Sequence, residues 1–350
     1  MLGKRQAPKM GLVAKKAFNK QQALKGPMLR RFVLSRIFAS VPLALLVACG
    51  GGSGTDGVPT PPPSTHDQVL TQATGISAQP LPNNLFRVVL TPATGVDAAA
   101  FCVRTDSATP TATDACFQSA STQDIAAQGS ATVSTVLRAW TRSSAGAVAF
   151  HQLLSMPGKT CSAAAYAASG ATTGSTACLI TDSGELVIAL ESDKAPITVN
   201  NFVRYLNSAF YNGTYFHRVK AGFVAQGGGF VWTGSAYSKK TSPYASIALE
   251  SPASTGLSNT KNTVAMARSS ALDSASTEFF VNLVDNTSLN TLGGGYAVFG
   301  RVVYGQVTGQ APASTLDSMA AVPVFASTVL GGEVSQPTTP IALQWAYQIK

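Results

Sequence analysis

This chain has little of what most catalytic sites are made from. Its three histidines, His66, His151 and His217, lie far apart and none stands beside a cysteine, which argues against a Cys/His zinc site. No Cys-x-x-Cys pair occurs, so thioredoxin-like redox chemistry has no candidate. The Gly-x-Ser-x-Gly elbow, the His-Glu-x-x-His helix and the phosphate loop ending in Gly-Lys-Ser/Thr are all missing. Acids are scattered rather than paired, which leaves glycosidase-type chemistry without its two carboxylates. Charge is also scarce, at 12% of residues, and its excess of +9 is misplaced for a nucleic-acid role. Ten Lys and Arg stand before residue 50 with no acid among them, and the remainder carries 15 basic against 16 acidic residues.

The basic leader has an order of its own. From Met28, the expected start of translation, "MLRRFVLSR" is a positive segment, and "IFASVPLALLVA" is an apolar run of 12 residues. That run is shorter than the ~20 residues a membrane-spanning helix needs, and it ends in small residues as an export signal does. It continues into Leu46-Val47-Ala48-Cys49, which resembles the lipobox of bacterial lipoproteins. The resemblance implies cleavage before Cys49 and acyl chains on its thiol, a stable membrane anchor. Gly50 follows the cysteine, where an Asp would resemble an inner-membrane retention signal, so a periplasmic protein anchored to the outer membrane is expected. Four cysteines remain, Cys102, Cys116, Cys161 and Cys178; an even number in an exported chain suggests disulfides. Spacings of 14 and 17 favour the pairs Cys102–Cys116 and Cys161–Cys178, with three connectivities open.

Residues 49–66 read as a Gly/Ser tether that stiffens into prolines. Over 67–175, runs such as "NLFRVVLTP" and "ATVSTVLRAWTR", rich in Val, Phe and Thr with turn residues between them, read as a small β-rich domain with no chemistry of its own. Its last part, "GKTCSAAAYAASGATTGSTAC", reads as a disulfide-closed connector or a final hairpin. From 176 to 350 the pattern is clearer. Asp182-Ser183-Gly184 supplies a hairpin turn, and Leu186, Ile188 and Leu190 alternate onto one face. Pro196 opens a helix in which Val199, Phe202, Val203 and Leu206 recur at helical spacing. Short strands, few helices and Gly-rich turns together predict a mainly β fold, a closed antiparallel barrel with one or two capping helices.

One stretch, "TYFHRVKAGFVAQGGG" at 214–229, puts Arg218 among Phe216, Val219, Phe223 and Val224, with Gln226 eight residues on. Read from the residues, this is an apolar groove with a single strong donor. The glycines after Gln226 read as a tight backbone path beside that groove. "FHRV", "GFVAQGG", "NTVAMAR", "EFFVN" and "GYAVFGRVV", in this order, resemble the cyclophilin family of peptidyl-prolyl isomerases, closest to its periplasmic bacterial branch. The likeness runs from about Cys178 to the C-terminus, roughly half the chain. It implies an eight-stranded antiparallel barrel capped by two helices, without metal or cofactor, acting on proline-containing exported polypeptides; a monomer is assumed. By the family pattern Arg218 is the catalytic cation and Gln226 helps hold it. Phe223, Val224, Phe280 and Leu289 form the proline pocket, with Tyr296 where many relatives have His. Ala267 and the Arg268 backbone bind the flanking peptide, and His217 is structural.

Two positions depart from the family. Glu278 stands where relatives usually carry Gln, and such a carboxylate could pair with Arg218 or Arg268 and change substrate preference or rate. Ser288 stands before Leu289 where cyclosporin-sensitive members have Trp, which predicts weak inhibition by that drug. These departures motivate a rival reading, a peptide-binding or chaperone module of the cell envelope that keeps the barrel but turns over weakly.

Overall fold

The computed structural model describes residues 75–327 and 330–350. The leader, Cys49 and the tether lie outside the described residues. The first described strands are β1 (Ile76–Leu81), β2 (Leu85–Leu90), β3 (Ala100–Arg104), β4 (Thr122–Ala126), β5 (Thr135–Arg142) and β6 (Val148–Met156). They form two antiparallel three-stranded sheets, ordered β1-β2-β4 and β3-β5-β6. Alternation sends Phe86, Val88 and Leu90 of β2 inward, where they pack with Leu137, Ala139, Leu154 and Met156 in one apolar cluster. Cys102 and Cys116 are bonded here, and Cys161 and Cys178 further on, the two pairs that the spacing favours.

The connector is a helix rather than a hairpin. α1 (Ala163–Gly170) takes up the alanine-rich run, with the Ser162 hydroxyl accepting from the Ala165 N–H as N-cap. Alanine is the best helix former, and here that preference decides a segment with too little charge or periodicity to read as a helix. α1 lies against β8 (Gly184–Leu190), which forms a hairpin with β7 (Thr176–Thr181). Their hairpin turns at Asp182-Ser183, as expected. Leu186, Ile188 and Leu190 face the main core, whereas Val187 points to the opposite side and packs with Cys161, Cys178, Trp345 and Tyr347 beneath α1.

α2 (Pro196–Asn207) follows, with Pro196 in its first turn. No side chain of its own caps it; Glu250 does so from afar, accepting from the N–H groups of Ile197 and Thr198. A carboxylate suits the positive end of a helix. Val199, Phe202 and Leu206 are buried against the barrel and Val203 is partly so. Then come β9 (Thr214–Phe216), β10 (Arg218–Val219), β11 (Val224–Gly227), β12 (Phe230–Trp232), β13 (Tyr237–Lys239), the short α3 (Pro252–Thr255), β14 (Thr263–Met266) and β15 (Phe279–Asn282). The chain ends with β16 (Val298–Tyr304), α4 (Thr315–Ala320), β17 (Val324–Ala326), β18 (Val334–Pro337) and β19 (Ile341–Gln348).

Nine of these segments make one sheet, ordered β10-β11-β15-β14-β16-β8-β7-β19-β9. β9 and β10 are its two ends and are separated only by His217, so one strand, interrupted at that residue, joins both edges. Counted that way, the barrel is the expected eight-stranded one. Its interior holds Phe216, Val219, Val264, Met266, Phe279, Val281 and Phe299, and α2 and α4 cap it through Phe202, Leu316 and Met319.

The N-terminal sheets are stapled to this barrel. Asn83 and Asn84 adopt positive φ at the β1–β2 turn, a region Asn tolerates better than most residues. There Asn84 donates its N–H to the Thr160 hydroxyl at 2.8 Å, and Thr160 donates back to Asn84 Oδ1 at 2.9 Å. Next door, Cys161 N–H donates to the Tyr347 hydroxyl at 2.6 Å, and Trp345 Nε1 donates to the Ser130 carbonyl at 2.9 Å.

Candidate active site

The eight-residue interval between Arg218 and Gln226 is a hairpin register. β10 and β11 pair so that Arg218 lies directly opposite Gln226 and Val219 opposite Ala225. Opposed residues of an antiparallel pair share a face, so the cation and the amide meet. The turn between the strands closes through Lys220 N–H to the Val224 carbonyl at 2.9 Å. It needs Gly222 at φ 72°, where a side chain would be strained.

Arg218 is half-buried, its side chain 19% exposed, with its guanidinium 5.4 Å from the Phe223 ring centroid. Its Nη1 donates to Gln226 Oε1 over a long 3.4 Å. Gln226 in turn donates from Nε2 to Glu278 Oε2 at 3.0 Å. Glu278 therefore pairs with neither Arg218 nor Arg268, the partners expected for it. Gln226 stands between Glu278 and Arg218. The Arg268 guanidinium is drawn instead to the carbonyls of Gly293 and Gly295 and lies 4.7 Å from the Tyr296 centroid. The nearest bases to Glu278 are His217 Nε2 at 3.4 Å and Lys239 Nζ at 3.8 Å. Burial works to raise the Glu278 pKa, but the His217 contact, the Gln226 amide and Lys239 outweigh it and hold it below 4.5. His217 is 1% exposed, its ring 4.3 Å from that of Phe230, which is a structural setting.

The carboxylate that does bind Arg218 is Glu333, on the approach to β18. Arg218 Nε donates to Glu333 Oε2 at 2.6 Å and Nη2 donates to Oε1 at 3.0 Å, a two-point fork. Lys220 Nζ and the Ser335 hydroxyl donate to the same carboxylate, each at 3.0 Å. The Arg218 hydrogen bond is the main cause that holds the Glu333 pKa down to about 2, against the effect of burial. Sequence reasoning missed this residue. Its partner lies 115 positions away, and only the Gly331-Gly332 turn before it marks the place.

Beside the cation lies an apolar cluster. Val224, Phe280 and Leu289 are buried in it, with Phe223, Ala267 and Tyr296 partly buried at its edge. Phe280 and Tyr296 meet edge to face at 5.9 Å. β11 and β15 pair with Gln226 opposite Phe280, which sets the pocket next to the amide. Ala267 N–H is committed to the Glu278 carbonyl at 2.9 Å. Ser288 is exposed just before Leu289. The glycines after Gln226 answer to crowding: a Cβ at Gly229 would stand 2.3 Å from Glu278 Cγ, and one at Gly228 2.9 Å from the Phe279 ring. The structure thus brings Arg218, Gln226, Glu278, Phe223, Val224 and Phe280 together, with Leu289, Tyr296, Ala267 and Arg268 on the adjoining rim.

The profile of the cyclophilin type peptidyl-prolyl cis-trans isomerase/CLD family matches residues 176–326. A peptidyl-prolyl cis-trans isomerase A from Dickeya dadantii is 47% identical over 137 residues, 39% of this chain and 69% of that protein. A peptidyl-prolyl cis-trans isomerase from Acinetobacter baylyi is 41% identical over 166 residues, 47% of this chain and 81% of that protein. A cyclophilin type isomerase from Cryptosporidium parvum, solved in the presence of the dipeptide Ala-Pro, aligns at 21% identity with a TM-score of 0.38, covering 49% of this chain and 97% of that one.

Proposed function

Because the chain belongs to the cyclophilin-type peptidyl-prolyl cis-trans isomerases, we propose that Arg218 is the group that speeds rotation about X-Pro bonds in exported polypeptides. Rotation is slow because amide resonance gives the C–N bond partial double-bond character, a barrier of about 18–20 kcal/mol. In the twisted transition state the lone pair returns to the prolyl nitrogen. A guanidinium donating to that nitrogen stabilises the twisted form more than the planar one, which is the condition for catalysis. Arginine suits the task because it stays charged and its donors are rigidly arranged. The observation that carries the reading is the placement of that cation, half-buried over Phe223 and bonded to Gln226, beside the Val224–Phe280–Leu289 cluster. In this reading the proline ring enters the cluster, and the flanking peptide runs past Ala267 and the Arg268 backbone.

The lipobox-like Leu46–Cys49, the basic leader and the two disulfides support the export half of the proposal. A diacylated Cys49 would tether the enzyme, in our reading to the outer membrane, with residues 50–66 as its leash. Cys49→Ser should move the protein from the membrane to the soluble fraction; unchanged membrane association would remove the anchor from the proposal. The catalytic half is tested by cis/trans exchange of an X-Pro tetrapeptide. Arg218→Ala in the full chain should lower kcat/KM by about a hundredfold, within the range that single charge-stabilising donors contribute. A wild-type rate equal to the uncatalysed one would instead leave a peptide-binding module.

A further inference from the structure

Glu333 lies beyond the stretch that matches the family profile, and none of the five co-linear motifs contains it. Its carboxylate nevertheless makes the two shortest polar contacts of the Arg218 side chain. An unrestrained arginine spreads over many rotamers. Binding at Nε and Nη2 together removes that freedom, because two parallel bonds to one planar group set both the position and the plane of the guanidinium. Glu333 is itself held, by Lys220 on Oε1 and Ser335 on Oε2. On the other flank Glu278 accepts the Gln226 amide, which leaves Gln226 Oε1 turned toward Nη1. The guanidinium is therefore gripped along its Nε/Nη2 edge, and the Nη1 corner faces Gln226.

We infer that Glu333 is a positioning residue for the isomerisation, fixing the Arg218 plane so that its Nη1 corner is offered to the prolyl nitrogen. The inference rests on the reading of Arg218 as the catalytic cation. The pairing does not cancel the charge it orients. Arg218 and Lys220 together carry two positive charges against the one negative charge of Glu333, so the cluster stays cationic. Pre-set geometry of this kind matters because a misplacement of about 1 Å can cost about a hundredfold in rate. The lowered pKa of Glu333 keeps it ionised across ordinary assay pH.

The test is a double-mutant cycle in the full chain, read by cis/trans exchange of an X-Pro tetrapeptide. Glu333→Gln keeps one acceptor and puts an amide NH2 against the other arginine nitrogen. It should lower kcat about tenfold with KM changed less than about twofold, the pattern of an interaction felt at the transition state. In an Arg218→Ala background the same substitution should change the residual rate by less than about twofold, since coupled sites are not additive. An unchanged kcat, an equal loss in both backgrounds, or a gain in kcat overturns the inference, the gain marking Glu333 as a restraint on the arginine. If Arg218→Ala itself keeps full activity, the reading of Arg218 fails; if Arg218 matters and Glu333→Gln is silent, only the positioning role fails. The unaltered protein supplies a second check. Its Arg218 Nε–H proton should exchange slowly with water in NMR spectra, and exchange as fast as that of an exposed arginine contradicts the inference with no variant made.

Discussion

In the N-terminal sheets, Arg87 on β2 forms a two-point fork with Asp124 on β4, Nε to Oδ1 at 2.9 Å and Nη2 to Oδ2 at 2.8 Å. In the barrel, Arg218 forms the same fork with Glu333 at 2.6 and 3.0 Å. The hydrogen bonding is alike and the settings are not. Arg87 and Asp124 are cross-strand neighbours on a solvated surface, with side chains 48% and 40% exposed. Their attraction is screened by water and salt, and holding two long side chains in one geometry costs entropy. Arg218 and Glu333 are 19% and 27% exposed, beside an apolar cluster and a second hydrogen-bonded carboxylate. The Arg218 fork differs from the Arg87 fork in its surroundings: it is less exposed, and it leaves Nη1 facing Gln226 beside the Val224–Phe280–Leu289 cluster.

The largest difference is expected when the two arginines are removed in turn. Arg218→Ala should cost about a hundredfold in turnover, while Arg87→Ala should leave turnover unaltered in the same peptide assay. Equal effects would mean that the barrel arginine is only another surface pair. A smaller effect is expected at the seam between the two regions. Replacing Cys161 and Cys178 by serine opens a loop of 17 residues and should lower stability by about 3 kcal/mol, measured by denaturant unfolding. Turnover of the folded fraction should not change, because the disulfide lies under α1 and away from Arg218.

The smallest effect concerns pH. Arg218 holds the Glu333 pKa at about 2, below its ordinary 4.5, so on acidification the unfolded chain takes up this proton before the folded one does. The pair's contribution to stability is then complete above pH 4.5 and fades as the pH falls toward 2. The gap in Tm between wild type and Glu333→Gln should be widest above pH 4.5 and close on the way down. A gap that grows with acid would contradict the pairing.

What was legible in the sequence is mostly what strand and helix periods determine locally. The hairpin at Asp182-Ser183 and the buried face of α2 follow from spacing, and spacing favours the two disulfides found while leaving three connectivities open. The family motifs likewise led to the barrel and to the cluster around Arg218. Three things were not legible. α1 has no acidic or basic residue and little amphipathic contrast, so its helical preference shows only as a run of alanines. Glu333 meets Arg218 because β18 packs against β10, and no local pattern records a contact across 115 residues. The partners of Glu278 were hidden for a related reason. Which base it reaches depends on where Gln226 and Arg268 are pulled, by the opposing strand in one case and by the carbonyls of 293–295 in the other.

Under the proposed function, Arg218 acts on the rotating bond rather than on peptide affinity. The direct measurement is NMR exchange of a saturating X-Pro peptide, which separates the cis/trans rate on the enzyme from the Kd. For Arg218→Ala we expect the bound-state rate to fall by about a hundredfold while Kd changes by a few-fold at most. An unchanged bound-state rate with a large loss of affinity would contradict it.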